Sequence, residues 1–185
     1  LFNNFNNSEL EDNRNFIQPG GDAAFGCSFT YGYGIEHKDS WPALLDLYNC
    51  GQNGSSNDRI TRHAIEYINT YHPENIYIMW TIKSRREWID EDSNILRFKI
   101  DDSTMEYKWQ EAHLELSNTE IDNYNYRKNN LLLNSFCVFN NVRLHQLDIH
   151  SIDHTTMPLG SDNSHPGVEW HAIIADHFKS LVEKS

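Results

Sequence analysis

Three side chains near opposite ends of this chain have the types needed for acyl-transfer chemistry. Ser28 follows a short apolar run and a glycine in Phe25-Gly26-Cys27-Ser28-Phe29-Thr30. Asp162 and His165 lie in Ser161-Asp162-Asn163-Ser164-His165-Pro166-Gly167, ahead of a helical pattern. A hydroxyl, an imidazole and a carboxylate are the parts of a nucleophile, its base and the group that orients the base. At i and i+3 around a helix start, both side chains of the second segment reach one point. Asp162 can then hold one ring nitrogen while the other faces Ser28. Each segment also has a plainer reading. Ser28 alone is a loop-capping serine, and position 30 is Thr, so the G-x-S-x-G elbow is absent. Asp162 and His165 alone make a helix-capping turn with a solvated histidine. The chemistry requires a fold that unites the two ends.

The intervening pattern describes such a fold. Residues 1–20 are polar and Asn-rich and read as an N-terminal arm; residues 21–185 read as a single domain. Asp22–Phe25 makes a first strand and Leu47–Cys50 a brief second one. Between them, Ser40 and Pro42 signal a helix start, with Ala43, Leu44, Leu45 and Leu47 as its apolar face. Ser55-Ser56-Asn57 caps a helix to about Tyr71, with Ile60, Ala64, Ile65 and Ile68 inward. Asn57-Asp58 belongs to that cap. Asn75–Trp80 is a continuous apolar run, as expected of a strand buried on both faces. Ile95–Ile100 alternates like a small edge strand within the charged stretch 83–118. A long helix from Thr119 to about Asn140 turns Leu132, Leu133, Phe136 and Phe139 to the core. Val142–Ile149 is a further strand, and Pro166–Lys184 a last helix with Val168, Ile173, Ile174, Phe178 and Leu181 inward.

Strands alternating with helices imply a parallel sheet covered on both faces, with ligands beyond the carboxyl ends of its strands. Ser28, Gly54, Thr81 and the Asp162/His165 pair each follow a strand, so they fall on one edge. The loop Asn49-Cys50-Gly51-Gln52-Asn53-Gly54-Ser55-Ser56 lets backbone approach a substrate closely, and Gly54 N–H can donate to an oxyanion. Taken alone, that loop is a turn and a helix cap.

Composition narrows the function classes. The formal net charge of −12 opposes binding to phosphate backbones and to acidic lipid surfaces. No apolar stretch approaches the roughly 20 residues that span a bilayer. Three cysteines, Cys27, Cys50 and Cys137, are too few for a disulfide framework and too irregular for a zinc site, which favours a reduced, cytoplasmic setting. Cys27 and Cys50 follow neighbouring strands and could pair if close. Cys27 should point away from Ser28 and be buried. His150 and His154 lack a third convergent ligand, so no metal is expected. No cofactor is required. His171 and His177 read as surface or packing residues. Tyr31, Tyr33, Trp41, Trp80 and Trp88 gather near the edge and suit a sugar ring or an acyl chain, with Trp41 and Trp80 favoured for the core.

G-x-S-F-T near the start, N-x-G-x-x-G-x-S about twenty residues on and D-x-x-H-P before the last helix are similar to the SGNH (GDSL-type) hydrolase family over roughly residues 22–180. The resemblance implies a three-layer α/β/α flavodoxin-like fold with a parallel sheet of four to five strands. It implies a serine esterase acting through an acyl-serine on a small-molecule or glycan ester, such as an O-acetyl carbohydrate. By position, Ser28 would be the nucleophile, His165 the base and Asp162 its orienter, with Ser28 and Gly54 N–H as oxyanion donors. The chain departs from the family in two places. Gly26-Cys27-Ser28 stands for Gly-Asp-Ser. Met79–Trp88 lacks the asparagine of the G-x-N-D block, leaving Thr81, Ser84 or Arg85, Thr81 first by position, as the third donor. The T-x-x-S-R-R-E-W segment resembles phage-encoded relatives and implies a viral origin. The alternative is a non-catalytic binding or virion structural module on the same fold. A flavodoxin-like nucleotide binder is disfavoured, since no phosphate-binding glycine motif opens a helix.

Overall fold

The computed structural model describes residues 18–89, 95–98, 111, 115 and 118–183, with backbone alone at 88–89 and 95–98. Most of the expected arm, the Trp88 side chain and nearly all of 99–117 lie outside the described residues.

Alternation within two strands builds the sheet. In β1 (Ala23–Phe25), Ala23 and Phe25 enter one core while Ala24 enters the other. In β3 (Asn75–Trp80), Ile76, Ile78 and Trp80 face the first core, and Tyr77 and Met79 the second. Every residue of both strands is buried, which only a sheet covered on both faces permits. β2 (Tyr48–Asn49) and β6 (Arg143–Asp148) complete four parallel strands in the order β2-β1-β3-β6. α2 (Asn57–Tyr71) and α3 (Thr119–Phe139) cover one face through Ile60, Ala64, Ile68, Leu133 and Cys137. α4 (Val168–Val182) covers the other through Trp170, Ile174, Ala175 and Phe178, joined by Trp41. This is the three-layer α/β/α architecture, and its order fits the flavodoxin-like pattern with a switch point between β1 and β3. A separate antiparallel hairpin, β4 (Arg86–Ile89) with β5 (Ile95–Phe98), comes after β3, so the alternating run does not join the main sheet. Among the described residues, no helix is long and apolar enough to cross a membrane.

Polar clasps fix the amino ends of the strands. Asp22 Oδ1 accepts from the Asn75 backbone N–H and Oδ2 from its side chain, each at 2.7 Å. Tyr67 OH accepts from Gly20 N–H and donates to the Gly21 carbonyl, both at 3.0 Å, tying the lead into β1 to α2.

Several expectations are corrected. The helix anticipated after Pro42 is a single 3-10 turn, Ala43–Leu45, with another at His37–Asp39. Asp46 ends it in the left-handed conformation (φ 54°), and Leu44 is exposed. The inner face of α3 is Asn125, Asn129, Leu133 and Cys137; Leu132 and Phe139 point outward and Phe136 is half-buried. On α4, Val168 and Ile173 are exposed, while Trp170 and His171 are buried. All three cysteines are free, so Cys27 and Cys50 do not pair. The cap of α2 is Ser56, whose Oγ accepts from Arg59 N–H at 3.1 Å; Asn57 and Asp58 do other work.

Candidate active site

β1 is an interior strand, so the turn at its carboxyl end opens at the switch point. Gly26 makes this turn possible. A Cβ there would lie 2.0 Å from Thr30 Oγ1 and 3.1 Å from the Met79 carbonyl. Cys27 is extended and fully buried, and Ser28 opens the short helix α1 (Ser28–Tyr31). Thr30 and Tyr31 N–H donate to the Cys27 carbonyl, and Gly32 closes the turn at φ 82°. Ser28 is therefore held at the carboxyl edge of the sheet and is almost wholly covered.

The loop after β2 packs directly on α1. Asn49 Nδ2 donates to the Thr30 carbonyl at 3.0 Å, and its Oδ1 accepts from Gly51 N–H at 2.9 Å. A Cβ on Gly51 would meet Tyr31 N at 2.5 Å, so only glycine allows this approach. Cys50 N–H donates to the Ala24 carbonyl and Gln52 N–H to Gly26, carrying the pairing past the strand ends. Gly54 comes next in the loop at φ 73°. Among the described residues, neither Gly54 N–H nor Ser28 N–H has a hydrogen-bond acceptor.

The loop before α4 is folded around Asp162. Its Oδ1 accepts from the backbone N–H of Ser164 and of His165, both at 3.1 Å, and Oδ2 lies 2.5 Å from His165 Nδ1. These bonds, the His165 backbone N–H first, hold the Asp162 carboxyl down at about 2. Ionised, Asp162 accepts a hydrogen bond from Nδ1–H, which leaves the Nε2 lone pair of neutral His165 free to act as a base. Gly160 N–H donates to the His165 carbonyl at 2.8 Å, and Gly167 N–H to Pro158 at 3.0 Å, closing the loop.

Gly34 brings the two ends of the chain together. Its carbonyl accepts from Ser161 N–H at 2.7 Å and from Ser161 Oγ at 2.9 Å. A Cβ on Gly34, at φ 85°, would stand 2.6 Å from Asp162 Oδ1. The Tyr33 ring lies 5.0 Å from the His165 ring, and the Phe29 ring, next to Ser28 in sequence, stands edge-on to it at 5.7 Å. The segment that begins at Ser28 and the loop that bears Asp162 and His165 are thus in direct contact through Phe29, Tyr33 and Gly34. Among the described residues, no hydrogen bond joins Ser28 Oγ to His165.

Thr81 lies just past β3 and is buried. Its N–H donates to Asn57 Oδ1 at 2.9 Å, and its carbonyl accepts from Asn57 Nδ2 at 3.2 Å. Thr81 Oγ1 accepts from Arg85 Nη1 at 2.9 Å, which leaves the hydroxyl proton as its one remaining donor. Ser84 is half-buried. Sequence reasoning missed the anchoring role of Asn57; an asparagine one residue after a good cap was the available signal. Asp58 accepts from Asn125 and Asn129 side chains at 3.0 and 2.8 Å and from Glu87 N–H at 3.2 Å, so it joins α2 to α3 and β4.

Other singled-out residues serve packing. Trp41 and Trp80 are buried in the two cores. His154 stands edge-on to Phe29 at 5.2 Å. His171 Nδ1 accepts from Trp41 N–H at 3.2 Å, and burial pushes this imidazole down to about 4.

No family model matches the chain, and no curated protein sequence does. Solved structures do. A psychrotrophic esterase, EstA from Pseudoalteromonas sp., is 13% identical over 89% of this chain and 97% of its own, with a TM-score of 0.46. A Desulfitobacterium hafniense DCB-2 protein assigned to the G-D-S-L lipolytic family is 15% identical over 88% and 99%, with a TM-score of 0.42. Axe2, an acetylxylan esterase from Geobacillus stearothermophilus, is 12% identical over 89% and 94%, with a TM-score of 0.41.

Proposed function

We propose that the protein is a serine esterase that removes a small acyl group through an acyl-serine. His165 Nε2 takes the Ser28 proton as Oγ attacks the ester carbonyl. The oxyanion is held by the N–H groups of Ser28 and Gly54, with the Thr81 hydroxyl as third donor. The tetrahedral intermediate collapses, the alcohol leaves with a proton from His165, and water attacks the acyl-serine in the reverse sense. The carrying observation is the Asp162–His165 pair at 2.5 Å, on a loop bonded through Gly34 to the segment that bears Ser28. Catalytic hydrogen bonds of the serine–histidine kind often tighten only in the substrate complex, and the Ser28–His165 contact closes at that step. The half-exposed Tyr33 ring beside His165 suits stacking on a sugar, so the substrate is an O-acetylated carbohydrate.

Ser28→Ala tests the reading. It should abolish release of p-nitrophenol from p-nitrophenyl acetate while urea unfolding stays unchanged. Turnover equal to that of the unsubstituted protein refutes it. A second reading, a non-catalytic binding or virion module of phage origin, draws support from the Thr81 N–H already engaged by Asn57. Labelling of Ser28 by a fluorophosphonate decides for the esterase; folded protein that stays unlabelled decides for the module.

A further inference from the structure

α3 carries two apolar faces, and the sheet uses only one. Asn125, Asn129, Leu133 and Cys137 are buried against the body of the molecule. On the other side, Phe139 is 84% exposed, Val138 78%, Tyr124 73% and Leu131 69%, with Ile121 and Leu132 also exposed. Ile121, Tyr124, Leu131 and Val138 fall in the three-four spacing of a helix-pairing seam, with Lys128 and Ser135 at its other two positions. Leu132 and Phe139, seven residues apart, flank the seam.

We propose that this face pairs with the same face of a second copy, as a two-fold dimer with the two α3 helices antiparallel and Leu131 near the axis. Three observations select that occupant. The six apolar side chains expose on the order of 700 Å², close to the roughly 800 Å² per partner of a standard interface. The helix as a whole is electrically neutral on an acidic protein: α3 holds Glu120 and Asp122 against Arg127 and Lys128, with Asp122 paired to Arg86 and Lys128 reaching Asp58, while the chain carries −12. Residues 129–142 contain no charged side chain. Antiparallel pairing centred on Leu131 lays the charged half of each helix over the uncharged half of the other. Parallel pairing would instead set Lys128 on its own copy within the seam, which like charges oppose. A two-fold axis makes the surface self-complementary, as an isologous contact requires.

Sedimentation of the full chain at micromolar concentration should give twice the monomer mass. Leu131→Asp and Val138→Asp should each raise the dimer dissociation constant at least about 30-fold, as expected at a central apolar contact. Far-UV circular dichroism and the urea midpoint of the monomer should not change. On mild oxidation Leu131→Cys should cross-link to its own copy, and a mixture of Tyr124→Cys with Val138→Cys should cross-link to each other. A monomeric wild-type chain, a dimer indifferent to Leu131→Asp, or Val138→Cys cross-linking to itself as fast as Leu131→Cys would each overturn the proposal.

Discussion

Substituting Gly34 by alanine should damage catalysis more than it damages the fold. The backbone there has φ 85°, where a side chain costs about 1–2 kcal/mol. The new Cβ would also lie 2.6 Å from Asp162 Oδ1. An ordinary contact needs about 3.4 Å or more, so either the carboxylate or the loop must give by about 0.8 Å. Asp162 Oδ1 holds the Ser164 and His165 amides, and Oδ2 holds the imidazole, so the displacement passes straight to His165, the proposed base. Misplacement on the order of 1 Å lowers kcat about 10²-fold. The expected result is an unfolding free energy lower by about 1–3 kcal/mol, kcat on p-nitrophenyl acetate lower by about 10², and KM little changed. Gly20→Ala is the control: it carries a positive φ (125°) with nothing within 4 Å of its Cβ, so it should lose stability alone. Gly34→Ala with normal kcat would refute the claim that this contact positions His165.

Three further outcomes are expected. Asp162→Asn should lower kcat about 10³–10⁴-fold at neutral pH with the urea midpoint little moved, because an amide cannot hold His165 in the required tautomer. Asn57→Ala should cost about 2–4 kcal/mol in urea unfolding, since it strands both the N–H and the carbonyl of buried Thr81, and a smaller loss would assign those groups other partners. His171 should make the protein acid-sensitive. Its imidazole titrates near 6.5 unfolded and at about 4 folded, so its contribution is intact above pH 6.5 and is lost as pH falls toward 4. The loss should reach about 2 kcal/mol by pH 5. His171→Gln, which keeps an acceptor for Trp41 N–H, should show a shallower decline between pH 7 and 5; an unchanged slope would exclude this histidine as the cause.

What could be read from the sequence was what local chemistry dictates. Asn75–Trp80 was legible because a strand buried on both faces must be apolar throughout, and Ser56 because a cap has a side-chain signature. The same local rules failed where tertiary packing decided. Ala43, Leu44 and Leu45 have helical composition, yet Asp46 turns left-handed and sends the chain into β2. α3 has apolar residues on both sides, and its buried face turned out to be half asparagine, satisfied by Asp58 from α2. In the candidate site, the spacing of Asp162 and His165 marked their pairing, and Gly26 marked the turn before Ser28. The fastenings across the chain were not legible. Gly34 against Ser161 and Asn57 against Thr81 are contacts between residues far apart in sequence, and neither glycine nor asparagine names its partner.

The clasp of Asn57 on Thr81 anchors the end of β3 independently of the hairpin that follows it. The end of β3 is secured from α2, by a side chain that grips the backbone at Thr81, ahead of the β4–β5 hairpin. The chain beyond Glu87 can therefore change length without releasing Thr81, provided the Glu87–Asp58 and Arg86–Asp122 contacts are kept. Replacing the residues that join β4 to β5 should leave the grip of Asn57 on Thr81 intact.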